Sequence, residues 1–272
     1  MGAQITAAGA EFWVERQGDD GPDVLLIAGL GDPAEAWEAQ LDGLSDRYRV
    51  TAYDNRGAGR TPLGDAPITP ASMADDAAAL LQELDIEAAH VMGFSMGSAI
   101  AQELALRDPD RVSSLVLVST YPRADALFRA QLSFWRWLAE VAPGEREFFE
   151  AFFTWVYSPR AHEDGTVAQI VEEAMAFPHQ QSLEAFRAQI DVCAEHDAVG
   201  RLSQIDVPAL VIAGEYDNLL PPRCGRLVAD EIPAAQFEVM PEHAHQPFQE
   251  APAEFNDRVH GFWSSIAATR QN

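Results

Sequence analysis

Residues 89–97 read Ala89-His90-Val91-Met92-Gly93-Phe94-Ser95-Met96-Gly97. The apolar run Ala89 to Gly93 leads into a segment, Met96 to Leu106, whose apolar residues recur three and four apart. That spacing predicts a strand running directly into an amphipathic helix. Gly93 to Gly97 fits G-x-S-x-G at the junction. A serine on a tight strand-to-helix turn is forced outward at the carboxyl end of a sheet, and small residues two before and two after it let neighbouring backbone come close. The helix that starts there aims free N–H groups and positive dipole at Ser95, which favours an oxyanion.

The same alternation extends outward. Val24 to Ala28, Arg49 to Tyr53, Leu115 to Ser119, Ala209 to Ala213 and Gln236 to Val239 read as further strands, Ser72 to Leu84 as a helix, and Glu11 to Arg16 as an antiparallel edge strand. Apolar strands alternating with helices predict an α/β fold with a mostly parallel central sheet. The pattern fails between Pro122 and Arg201, where helical segments follow one another. Residues 1–121 and 202–272 are therefore expected to form the core, and 122–201 a helical cap. Thirteen aromatic residues between Tyr121 and Phe186 suit the packing of such a cap, with a minority lining an apolar pocket beneath it.

A serine hydroxyl needs a base within hydrogen-bond reach, and that base needs a partner to hold its tautomer. Of seven histidines, His90, His162, His179 and His196 precede the last two strands or lie in the insertion, and His260 falls in a terminal helix. His243 and His245 remain, both in the loop after the last strand. Asp217 directly follows the strand Ala209 to Ala213 and is the candidate acid.

These segments together make the chain resemble the α/β-hydrolase superfamily, in particular cofactor-free bromoperoxidase-like esterases and enol-lactonase-like hydrolases. The resemblance is carried by Ile27 to Gly31 with Trp37, by Tyr53 to Gly59, by Gly93 to Gly97, by Gly214 to Asp217 and by His245 to Pro252. It implies the chain order Ser95, Asp217, His245, and it selects His245 over His243 because Pro247 and Phe248 stand two and three residues beyond. It also implies an oxyanion hole made by the N–H groups of Leu30 and Met96, and chemistry that needs no metal or organic cofactor. Two positions depart from the family pattern. Ala244 replaces the glycine before the histidine, and Ala28 replaces the histidine of the usual His-Gly pair, which puts support of the Leu30 loop in doubt. Arg56 is expected to brace loops. Leu30, Trp135 and Phe248 are the expected substrate contacts. An ester, lactone or thioester is the expected small-molecule substrate, with peracid formation or carbon-carbon bond hydrolysis as alternatives on the same residues.

Composition narrows the rest. The 43 acidic residues face 18 basic ones, for a formal net charge of -25. Every basic residue is arginine, which removes Schiff-base lysine chemistry and the lysine phosphate loop. Such a surface repels phosphate backbones, so no nucleic-acid partner is expected. The absence of a long apolar run and of a secretory leader leads to the expectation of a cytoplasmic protein without a membrane partner; the sequence neither requires nor excludes a homo-oligomer. Two cysteines are too few for a disulfide framework or a zinc site. Two competing readings belong to other classes. Gly29-Leu30-Gly31-Asp32-Pro33-Ala34 fits G-x-G-x-x-A, with Asp54 ending the next strand, as in dinucleotide-binding sites, although Pro33 has no N–H to offer a pyrophosphate. The other is a non-catalytic binding protein on the same fold, which labelling of Ser95 by a fluorophosphonate would exclude.

Overall fold

Strand β3 (Asp23–Ile27) is apolar at every position after its first because both its faces are covered. Leu25 and Ile27 point into one apolar cluster, Val24 and Leu26 into another on the opposite side, which is the period of two expected of a strand. The same holds for β4 (Arg49–Tyr53), β5 (Ala89–Phe94), β6 (Val112–Val118) and β7 (Ala209–Gly214). With β1 (Gly2–Ala7), β2 (Ala10–Gln17) and β8 (Ala235–Met240), they form one eight-stranded sheet in the order β1-β2-β4-β3-β5-β6-β7-β8. The structure is a computed structural model and describes residues 2–233 and 235–270. Strands β3 to β8 are parallel, and β1 and β2 are antiparallel additions at one edge.

Helices α1 (Glu38–Leu44) and α11 (Pro252–Arg270) cover one face. Leu41, Leu44, Phe255, Val259 and Trp263 pack there on Val116, Val118, Leu210 and Ile212. Helices α2 (Pro70–Glu83), α3 (Met96–Arg107) and α9 (Pro222–Glu231) cover the other face. Helix α2 starts earlier than its apolar period suggests, because Thr69 caps it in a reciprocal pair with Ser72 and Pro70 takes the first turn. Five helices follow one another between β6 and β7: α4 (Ala126–Val141), α5 (Glu145–Val156), α6 (Pro159–Glu163), α7 (Thr166–Ala176) and α8 (Leu183–Glu195). Their two ends meet where Ala198 N–H donates to Pro122 O at 2.8 Å and Arg123 pairs with Asp197. A four-residue α10 (Pro247–Glu250) lies between β8 and α11.

Strand β1 has no counterpart in the sequence reading. Gly2 to Ala7 alternates Ala3, Ile5 and Ala7 with Gln4 and Thr6, but two of its three apolar residues are alanines and the alternation is weak; the strand is held by register with β2 across the Ala8-Gly9 turn, where both φ angles are positive. Strand β6 begins at Val112, earlier than read, and Ser119 leaves it at φ 48°. Among the described residues no helix is long and apolar enough to cross a membrane.

His196 is buried at the foot of the inserted helices, where its Nε2 lies 3.0 Å from Gln102 Oε1. Burial lowers its pKa from 6.5 to about 4, against the opposing pull of Glu103. The unfolded chain therefore binds the extra proton between those two values, so this histidine's contribution is complete above pH 6.5 and is lost as pH falls toward 4, by about 3 kcal/mol in all. His196→Gln is expected to be less stable than wild type at pH 7, and that deficit should shrink by most of this amount at pH 4.5. Urea unfolding at the two pH values checks this, and an undiminished deficit at pH 4.5 would count against it.

Candidate active site

Ser95 sits between β5 and α3 at φ 52° and ψ −115°, a conformation that costs a non-glycine residue on the order of 1–3 kcal/mol. The flanking glycines are there because the turn is crowded. A Cβ on Gly97 would come within 2.1 Å of Ile27 O, and one on Gly93 within 2.3 Å of Gly97 O. The strained turn lifts the Ser95 side chain off the sheet toward the loops after β7 and β8.

There the three side chains singled out in the sequence meet. His245 Nε2 lies 3.0 Å from Ser95 Oγ, and His245 Nδ1 lies 2.7 Å from Asp217 Oδ2. All three are buried, with 7%, 3% and 2% of the surface of Ser95, Asp217 and His245 exposed. The other carboxylate oxygen of Asp217 accepts the N–H groups of Leu219 and Leu220 at 2.9 and 2.8 Å, which fixes the carboxylate's orientation. His245 is anchored through its backbone. Its N–H donates to Val156 O at 3.0 Å, and its carbonyl accepts the Ser119 hydroxyl at 2.7 Å. Phe94 packs against the imidazole with ring centroids 4.9 Å apart. His243 is turned away, with its Nδ1 3.3 Å from Glu250 Oε2. Removing it with His243→Ala is expected to lower turnover less than about tenfold, since it touches no member of the Ser95 line; a thousandfold loss measured in steady-state kinetics would reverse the choice between the two histidines.

Met96 is the first residue of α3, so its N–H has no acceptor within the helix. The Leu30 loop lies opposite and is held without the family's histidine. Asn55 Nδ2 donates to Ala28 O at 3.0 Å, and Ala34 N–H donates to Asp54 Oδ1 at 2.7 Å. Gly31 N–H donates to Gln189 Oε1 at 2.8 Å. Gln189, fully buried on α8, also donates to Arg56 O, so one amide joins the inserted helices to two loops of the sheet. Arg56 itself grips Asp76 with two hydrogen bonds and touches Ala8 O. Asp54 also accepts Arg60 N–H. The loop leads through a short turn, Ala34–Trp37, into the seven-residue α1, and not straight into a long helix. A dinucleotide site would need that helix end and a free Asp54, so the G-x-G-x-x-A reading is overturned.

The description alpha/beta hydrolase fold, as a family profile, matches residues 22–252. The chain belongs to the α/β-hydrolase fold family. It is an enzyme of the hydrolase class, by its likeness to named hydrolases and esterases along nearly its whole length. A relative in Azorhizobium caulinodans with the provisional name carbamate hydrolase RutD is 32% identical over 257 residues, covering 94% of this chain and 96% of its own. The structure of a Mycobacterium tuberculosis protein provisionally named non-heme bromoperoxidase BpoC is similar at a TM-score of 0.84, with 29% identity over 97% of each chain. The enol-lactonase of Burkholderia xenovorans LB400 is similar at a TM-score of 0.85, with 25% identity over 96% of this chain and 100% of its own.

In this hydrolase a cavity of about 1030 Å³ lies between the Leu30 loop and the inserted helices. Leu30, one of the expected substrate contacts, lines it, and so does Gln246, the neighbour of His245. Trp135 and Phe248 do not line it. Trp135 stands one layer behind, its ring centroid 4.4 Å from that of the lining residue Phe152. Phe248 is wholly buried between Trp37 and Phe94, the ring that packs on His245, and does not line the cavity. The aromatic wall comes instead from Phe148, Phe149, Phe152, Phe153 and Phe186. Among the described residues no group of three or more His, Cys, Asp or Glu is arranged to hold a metal ion.

Proposed function

We propose that this enzyme is a serine hydrolase that cleaves small or medium-sized, largely apolar esters, lactones or thioesters through an acyl-enzyme on Ser95. The reading is supported above all by the unbroken line from Ser95 Oγ through His245 to Asp217, at 3.0 and 2.7 Å. Ser95 Oγ attacks the carbonyl carbon while His245 Nε2 takes its proton. Asp217 holds the Nδ1–H tautomer and offsets the imidazolium charge. The carbonyl oxygen gains negative charge and is received by the N–H groups of Met96 and Leu30. His245 then returns the proton to the leaving oxygen or sulfur as the carbonyl bond to it breaks. Water repeats the sequence on the acyl-enzyme and frees the acid. The inserted helices act as the cap that gives the acyl group its apolar surroundings.

A fluorophosphonate probe tests the reading directly. Wild-type protein should be labelled at one site, labelling should be lost in Ser95→Ala, and p-nitrophenyl esters of graded chain length should be hydrolysed. Labelling that persists in Ser95→Ala would sink the assignment.

A further inference from the structure

Asp32 is the one member of the Leu30 loop whose role the triad leaves open. It lines the cavity, two residues from Leu30. It lies deep beneath the surface and still keeps accessible area, because that area opens onto the cavity. Its carboxylate has no arginine partner among the described residues, and the chain has no lysine. Only the Gly29 N–H and the charge of His245 favour its ionised form. A half-buried carboxylate without a counter-ion is still costly, and a site that keeps one has a use for it.

The rest of the wall agrees with Asp32. Among the described residues no arginine lines the cavity. Glu38, Asp42, Glu145 and Glu173 stand exposed around it, so field lines draw cations toward the opening and turn anions away. Glu35, through one carboxylate oxygen, is already paired with Arg60 at 2.6 Å, which leaves Asp32 as the lining carboxylate near Leu30 without an arginine partner among the described residues. Phenylalanine rings, whose faces attract ammonium groups, are prominent in the remaining lining.

We propose that Asp32 is a specificity-determining residue that receives a cationic group of the substrate, so that the cavity accepts acyl compounds bearing an ammonium and rejects those bearing a carboxylate. This inference rests on the serine-hydrolase reading for its catalytic step, though not for its binding preference. Burial raises the Asp32 pKa to about 7, with His245 and the nearby Tyr157 as the titratable groups around it. At neutral pH the site is thus part neutral, and an arriving cation completes its ionisation.

The test uses three p-nitrophenyl esters of equal size whose acyl chains end in trimethylammonium, tert-butyl or carboxylate. Wild type is expected to favour the ammonium ester over the tert-butyl ester in kcat/KM by about tenfold or more, as charged hydrogen-bonding partners allow, and to be poorest on the carboxylate. Asp32→Asn should bring the ammonium-to-neutral ratio close to one. Glu83→Gln, which removes one negative charge on the exposed end of α2, should leave that ratio unchanged. A wild-type ratio of one or less, or a ratio unaltered in Asp32→Asn, overturns the proposal. Calorimetric binding of hexyltrimethylammonium against hexanoate to wild type gives an answer independent of turnover. If no ester is cleaved, the reading of an ester-cleaving acyl-enzyme on Ser95 fails while this comparison still decides the role of Asp32. Equal or weaker binding of the ammonium would sink it.

Discussion

Ser95→Ala is expected to reduce ester turnover by on the order of a thousandfold or more, leaving only what the oxyanion donors and binding contribute. The size of the effect follows from Ser95 Oγ being the atom that meets His245 Nε2 at 3.0 Å. Stability separates chemistry from folding. Alanine keeps a Cβ and so keeps the cost of φ 52°, whereas glycine relieves it. Ser95→Gly should therefore be as inactive as Ser95→Ala and more stable by about 1 kcal/mol. Urea midpoints for the pair provide the check. Turnover by Ser95→Ala within tenfold of wild type would end the nucleophile assignment.

Asp217→Asn should cost about ten-thousandfold, for a reason the hydrogen bonds make specific. Oδ1 of Asp217 is committed to the N–H groups of Leu219 and Leu220. An asparagine in this place keeps its oxygen on those donors and turns its amide nitrogen toward His245 Nδ1, where Oδ2 now lies at 2.7 Å. The imidazole must then accept at Nδ1 and carry its proton on Nε2, pointing at Ser95, and it can no longer take the serine's proton. Kcat should fall with little change in KM. Wild-type kcat in a folded Asp217→Asn protein would show that the carboxylate does not set the tautomer.

How far the sequence could be read depended on whether a feature was local. Strand β4 was legible to the residue, Arg49 to Tyr53, and β3, β5 and β7 to within one residue at each end, because strands covered on both faces are predominantly apolar. The Ser95 turn was legible because its glycines answer a local collision. Strand β1 was not, since its pairing with β2 is made by backbone groups that any residue supplies. Gln189 and Ser119 escaped notice for a related reason. A glutamine on a helix and a serine after a strand carry no motif, and their value lies in reaching Gly31 and His245 across 158 and 126 residues. Trp135 and Phe248 illustrate the opposite error, in which residue type pointed to a ligand and packing claimed the side chain.

By itself, then, the chain's order of residues determined the alternation of strands and helices, the outward turn at Ser95 and the loops carrying Asp217 and His245. Each of these is encoded by neighbours a few positions apart, through period, backbone sterics and turn chemistry. Tertiary structure alone decided which carboxylate oxygen faces the imidazole, which helices wall the cavity and that Asp32 enters it without a counter-ion. Those outcomes depend on side chains brought together from distant segments, and the shape of such contacts is set by three-dimensional packing, which no short stretch of sequence contains.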